Sequence, residues 1–434
     1  MAEKTFALKG IVIHTPERDQ FEIHENHYLV CQDETVVGVY ETLPPEYTGI
    51  PVEDFTDKLI IPGMCDMHIH APQYAFRGLG LHINYREWTN WFELYAFPDE
   101  SKYADLEYAE MAYEKLVADW QKTPTTRACI YATIHREATG ILMQKLDEAG
   151  FVAYVGKVNM DRNSIPGLLE TTEESITETL AWLDDCAGRY RTVRPMLTPR
   201  YTPTCTDELM AFLGQLANEH NIPIQTHLSE GLNEIEWVKA LRPVDSCYGE
   251  AYDAYGLFGG TVDAVMAHCV YPTEVEFELM TKRKNLMVAH CPQSNINSSG
   301  GVAPIRDYLA AGIRVGLATD MAGSNTLSLF RAITDAVHAS KAQWAFTERQ
   351  GDPNLQCTAL SLSDAFYLAT KGGGALWGKM GSFEPGYHFD AVIIDDTRLR
   401  DFRPRSAQER LERVILTSDD REIYAKYIYG RRVL

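Results

Sequence analysis

The chain has no Cys-x-x-Cys pair: its nine cysteines, Cys31, Cys65, Cys129, Cys186, Cys205, Cys247, Cys269, Cys291 and Cys357, are scattered and odd in number. That spacing excludes the usual cysteine zinc and dithiol redox motifs and leaves free thiols that mostly fill the core. No uninterrupted apolar run approaches the ~18 residues needed to cross a bilayer, so no membrane partner is expected. Met1-Ala2-Glu3-Lys4 lacks the basic-then-apolar profile of a signal peptide, and a cytoplasmic location is expected. Positive charge is short as well. Against 61 Asp plus Glu stand 40 Lys plus Arg, a net charge of -21, and such a field repels phosphate backbones and excludes nucleic acid as a partner. Internal repeats and low-complexity tracts are also absent. What is present is 45% hydrophobic and 23% charged residues, the balance of a globular protein with a large core.

At about 150 residues per domain, 434 residues would make three domains, but α/β barrels run longer as one unit. Short β-branched and aromatic runs at 9–14, 27–31 and 35–40, broken by turn residues, predict a small β unit. After Pro62-Gly63 short apolar runs alternate with longer amphipathic ones, the pattern of βα units around a parallel sheet. Strands are predicted over 64–69, 126–133, 152–158, 192–198, 222–226, 264–267, 286–289 and 315–318, the eight that a (β/α)8 TIM-like barrel needs. Helices are predicted over 105–120, 173–185, 207–219 and 273–282, with Thr or Asp at the N-caps, and over 362–370, stopped by Gly372-Gly373-Gly374. Residues 381–395 and 422–429 return to β character. The expected α/β architecture is a catalytic barrel at 63–379 and a small β-sandwich domain from 1–62 plus 380–434.

His68-Ile69-His70 closes the apolar run 60–69. In a strand, residues i and i+2 face the same side, so both imidazoles converge at the carboxyl end of the first barrel strand, where barrel active sites lie. H-x-H alone is a weak signal, and its bland reading is a surface or core histidine. Other predicted strand ends carry matching groups: Thr226-His227, Ala267-His268, Ala289-His290 and Thr319-Asp320. Each alone would be a satisfied histidine or a capping aspartate; together they predict a metal site. His290, opening a His-Cys-Pro loop, is the expected bystander. Glu230 follows His227 by three residues, within reach of a metal-bound water as a proton shuttle, or else a first-turn glutamate favoured by the helix dipole.

These residues carry a resemblance. Pro62-Gly63 through His68-Ile69-His70, with His227, Glu230, His268 and Thr319-Asp320, resembles the amidohydrolase superfamily in its mononuclear aminohydrolase branch. More narrowly, His70-Ala71-Pro72-Gln73-Tyr74, Val155-Gly156-Lys157-Val158, Thr198-Pro199-Arg200-Tyr201, His290-Cys291-Pro292-Gln293-Ser294-Asn295 and Asp320-Met321-Ala322-Gly323-Ser324 resemble the guanine deaminase family. Tyr201 departs from the Phe expected in the animal enzymes: it keeps a stacking face and adds a hydroxyl.

The resemblance implies one Zn²⁺ per chain, or iron, held by His68, His70, His227 and Asp320, which activates water for attack on C2 of guanine. It further implies that Glu230 carries a proton to a ring nitrogen, that His268 and Asp320 steer the nucleophile, and that Gln73, Arg200, Tyr201 and Trp88 bind the purine. The products would be xanthine and ammonia, in purine catabolism or salvage. Lys157, the position of a bridging carbamylated lysine in binuclear relatives, is read as structural. The aromatic stretch 80–103 is read as a long loop serving as lid, subunit contact or both, and 234–260 as a second candidate contact in a homodimer. The alternatives are a neighbouring deaminase acting on 8-oxoguanine, cytosine or an s-triazine, a binuclear amidase using Lys157, and a non-catalytic binding relative.

Overall fold

The computed structural model describes residues 5–82, 91–349 and 356–434. The chain opens with β1 (Thr5–His14), β2 (Glu22–Gln32), β3 (Thr35–Tyr40) and β4 (Val52–Pro62). Then come β5 (Met64–His70), β6 (Thr125–Tyr131), β7 (Val152–Gly156), β8 (Val158–Asn159), β9 (Val193–Pro195) and β10 (Thr198–Pro199). After these follow β11 (Ile224–Leu228), β12 (Ala264–His268), β13 (Leu286–His290) and β14 (Arg314–Leu317), and the chain ends with β15 (Ala391–Ile394), β16 (Ile423–Ile428) and β17 (Arg431–Arg432). Two compact units result: one holds residues up to 66 with 119–127 and 327 onward, the other 67–118 with 128–326. The stretch 327–379, counted with the barrel from sequence, thus clusters with the terminal segments.

In the first unit the N- and C-terminal strands join, as expected, but in one seven-stranded sheet ordered β17-β16-β15-β4-β1-β2-β3 rather than in a two-sheet sandwich. β4 is the reason: the sequence reading missed it, and it pairs in parallel with β1 on one side and antiparallel with β15 on the other, stitching both termini into one layer. Phe6, Leu8, Val12, Leu29, Ile60, Phe389 and Ile393 form its core. Against expectation, the three glycines do not stop the helix at Leu362–Tyr367; helical turns run on through Leu368–Gly372 to Ala375–Trp377, and Gly378 at φ +80° breaks them. A Cβ on Gly374 would sit 2.7 Å from the Met380 carbonyl oxygen, so this glycine serves close packing. The helix Ala407–Thr417 was also missed, although Ser406 and Glu409 spell out the capping box that starts it.

The second unit holds the βα repeats, a TIM-barrel-like α/β layout in which all eight predicted strands are found. They form two four-stranded sheets, β5-β6-β7-β9 and β11-β12-β13-β14, with a parallel bridge between Leu197 and Ile224. The third and fourth strands are each broken, and β8 pairs with β10 separately. Pro195, which has no N–H for a ladder, ends β9, and Gly156 lets Thr198 pack where a Cβ would otherwise sit. Thr206 and Thr273 cap the helices Asp207–His220 and Glu274–Thr281, and Thr171 forms a capping box on Thr172–Cys186, as their positions predict. Residues 92–104, read as loop, wind instead as successive helical turns, Phe92–Ala96, Phe97–Ser101 and Lys102–Ala104. Pro98, Asp99 and Glu100 suit the first turn of such a helix, and the aromatic content hid that signal. All nine cysteines are free and only Cys357 is exposed. Among the described residues no helix is long and apolar enough to cross a membrane.

Candidate metal and substrate site

β5 brings His68 and His70 to one side, two residues apart. The chain leaving β14 runs beside it: the Asp320 N–H donates to the His68 carbonyl at 2.8 Å and the His70 N–H to the Met321 carbonyl at 2.9 Å. Those two bonds fix the Asp320 carboxylate against both imidazoles, with Oδ1 3.3 Å from His68 Nε2 and 3.6 Å from His70 Nε2. His227 on β11 completes the group, its Nε2 3.2 Å from that of His70. Ligand atoms of His68, His70 and His227 lie within 4.8 Å of one another, as do those of His68, His268 and Asp320. His68, His70, His227 and Asp320 thus meet at one spot, each at or just past a strand end.

The chemistry of this donor set fits a divalent cation. Burial, helped by the neighbouring imidazoles, holds His70 and His227 well below the ordinary histidine pKa, and burial lowers His68 too although Asp320 opposes it. Burial disfavours the charged form of Asp320, but His68, His268 and His70 outweigh it and keep the carboxyl well below the usual range. His227 Nδ1 lies 2.7 Å from the Arg200 carbonyl, an acceptor, so the ring proton belongs there and the Nε2 lone pair faces His70. Neutral imidazole lone pairs and a carboxylate around one buried point are the ligands that zinc or ferrous iron takes.

Glu230 and His268 stand beside this point. His268 ends β12 at φ +73°, a left-handed conformation costly for a histidine, and Ser229 and Asp320 share that region at φ +49°. His268 Nε2 lies 3.7 Å from Glu230 Oε2 and 3.8 Å from Asp320 Oδ2, while Nδ1 is 2.9 Å from Asn295 Oδ1. Burial opposes the imidazolium, but Glu230 and Asp320 more than offset it and raise the His268 pKa. Burial raises the Glu230 carboxyl in turn, against His268 and with Asp320. Asn295 was quoted from sequence only within a motif; nothing in an Asn after His-Cys-Pro-Gln-Ser points to β12. Glu234 was missed altogether: it accepts the Glu230 N–H at 2.9 Å and the Tyr248 hydroxyl at 2.7 Å, and burial with Glu230 nearby pushes its carboxyl up to about 7.

A cavity of about 360 Å³ opens over these groups, lined by Gln73, Trp91, Phe92, Phe97, Arg200 and Tyr201 together with His70, His227, Glu230, Glu234, His268 and Asp320. Its volume suits a small heterocycle. Tyr201 packs edge-on to His227 and to Trp237, with ring centroids 6.3 and 6.2 Å away. Trp88 lies outside the described residues. Part of the predicted lid, 91–97, does line the cavity. Arg200 and Gln73 both bond to Glu100, a residue the sequence reading did not single out because it read this stretch as loop. Lys157 is buried and paired with Glu170 at 2.7 Å, away from the histidine cluster. His290 is buried outside both candidate metal groups, and burial pushes its pKa down to about 3.

The sequence profile described as Amidohydrolase family matches residues 59–433. The guanine deaminase of Dictyostelium discoideum is 35% identical over 98% of this chain and 97% of its own length. That of Escherichia coli is 32% identical over 88% of this chain and 85% of its own. A crystal structure of guanine deaminase from C. acetobutylicum, with guanine bound in the active site, superposes with a TM-score of 0.94 at 40% identity, covering 99% of this chain and 100% of that one.

Proposed function

Because the chain belongs to the amidohydrolase family, we propose that it hydrolyses guanine to xanthine and ammonia. The observation that carries this reading is the meeting, in one cavity, of a three-imidazole and carboxylate cluster with a pair of donors, Arg200 and Gln73, suited to the acceptors of a purine. His68, His70, His227 and Asp320 would hold one metal, zinc in preference to iron given the three nitrogen donors. Bound there, the metal supplies a water of lowered pKa as the nucleophile for C2. Glu230, partly buried and raised above the ordinary carboxyl pKa, would take one proton from the attacking water to the ring nitrogen beside C2, and a second from the hydroxyl then formed at C2 to the departing amine, leaving C2=O and ammonia. His268, held by Asn295 and facing both Glu230 and Asp320, orients the nucleophile. Tyr201 offers a face to the ring, and Arg200 and Gln73 donate to its acceptors, Arg200 to the C6 carbonyl.

The same reading takes the two four-stranded sheets as halves of one (β/α)8 barrel, supported by the Leu197–Ile224 bridge and the Asp320–His68 hydrogen bond. A cytoplasmic homodimer acting in purine catabolism or salvage completes it, with Leu94, exposed on the aromatic segment, as a contact. Ultraviolet assay of the purified protein with guanine, adenine, 8-oxoguanine, cytosine and an s-triazine tests the function. Guanine should be consumed fastest and xanthine should accumulate; preference for any other member of the panel overturns the assignment.

A further inference from the structure

Behind Arg200 and Gln73 lies a third group. Glu100 Oε2 accepts from Arg200 Nη1 at 2.6 Å and Oε1 accepts from Nη2 at 3.0 Å. The same Oε1 accepts from Gln73 Nε2 at 2.7 Å. Gln73 is held from its other end too, because its Oε1 takes the Ala322 N–H at 3.2 Å, which settles which end of the amide is the donor. All three side chains are at least 96% buried, and the guanidinium lies 5.2 Å from the Phe97 ring centroid. Glu100 and Phe97 sit in one short helix, Phe97–Ser101, that follows the aromatic turns lining the cavity.

A fork of two parallel N–H···O bonds fixes the plane and rotation of a guanidinium, and with it the direction of the N–H groups left over. Such a pair also neutralises a charge that burial would make costly. Glu100 is not itself among the residues lining the cavity, so its carboxylate acts on a substrate only through the two donors in front of it. We infer that Glu100 is a positioning residue that aligns Arg200 and Gln73 as one donor surface, so that the docked 91–101 segment sets the selectivity for a purine carrying a carbonyl at C6. This rests on the guanine reading above and deepens it.

The test compares guanine with 2-aminopurine, which presents the same amino-bearing C2 but no carbonyl at C6. In Glu100→Gln the amide keeps the volume and turns one acceptor into a donor facing other donors, so the fork is lost. The kcat/KM for guanine should fall about 10- to 100-fold, chiefly through KM, while that for 2-aminopurine changes less than about threefold and metal content stays the same. In an Arg200→Met background the same substitution should change the guanine to 2-aminopurine ratio by less than it does in the wild type, because only the route through Gln73 remains. Glu100→Asp, which keeps the charge and withdraws it by one methylene, should lower the ratio by about 3- to 10-fold and serves if the Gln variant does not fold. An unchanged ratio in the folded variants, including equal falls on both substrates, overturns the inference and leaves the guanine reading standing. Wild-type protein inactive on guanine overturns both.

Discussion

Asn295 Oδ1 lies 2.9 Å from His268 Nδ1, a contact between the short helix after β13, Pro292–Asn297, and the last residue of β12. An amide oxygen accepts, so it holds the ring proton on Nδ1 and turns Nε2 toward Glu230 and Asp320. Asn295→Ala should therefore release the ring and lower kcat by about 10- to 100-fold with metal content unchanged, the usual effect of removing such a support. Steady-state kinetics beside elemental analysis checks it; wild-type kcat would show that the left-handed backbone at His268 orients the ring unaided.

Metal should bind at one equivalent per chain, and chelation should abolish activity, with zinc restoring it. His68→Ala and His227→Ala each remove one nitrogen ligand and should lower metal content. Elemental analysis giving two metals per chain would sink the mononuclear reading and bring Lys157 back into question, against its ion pair with Glu170.

Glu230→Gln keeps the shape and removes the proton carrier. Turnover should drop at least ~10²-fold with the metal retained, the contribution of a positioned general acid or base. If turnover held, Glu230 would be no more than a residue at the start of a helix.

Arg200→Met removes the guanidinium at similar bulk. Guanine turnover should fall strongly with metal content untouched, because the C6 carbonyl loses its charged donor. Adenine, which carries a donor amino group at C6, should be a poor substrate of the wild type. Rates on both substrates before and after the change decide it.

Stability should respond to Asp420. Burial pushes its carboxyl up to about 6, against the Ser328 hydroxyl, which donates to it at 2.6 Å, and against Lys426. A carboxyl raised in the folded state binds more protons there than in the unfolded chain between about pH 4 and 6. Its stabilising contribution is therefore complete below about pH 4 and lost as the pH rises through 6. Asp420→Asn, which keeps the size and suits the φ of +67° at this residue, should stabilise the protein at pH 7 by on the order of 1 kcal/mol and make no difference at pH 4. Thermal melts of both proteins across that range measure it; equal pH slopes would refute it.

The sequence by itself determined the eight strands and the register of their ends. Apolar runs of about four to eight residues between amphipathic stretches have few ways to be buried other than as parallel strands, and a polar group that ends such a run must emerge at the carboxyl edge. His68, His70, His227, His268 and Asp320 were legible for that reason, and so was Glu230, three residues past a strand end. Tertiary structure alone decided the rest. Glu100 and Arg200 are 100 residues apart, and Asn295 and His268 are 27 apart, in pairings that no periodicity encodes. The single terminal sheet depended on β4 finding β1 and β15 at once, a choice made by hydrogen bonding between distant segments. Residue pattern carries information over one turn or one strand, whereas the direction of a buried polar side chain is set by whichever distant partner satisfies it.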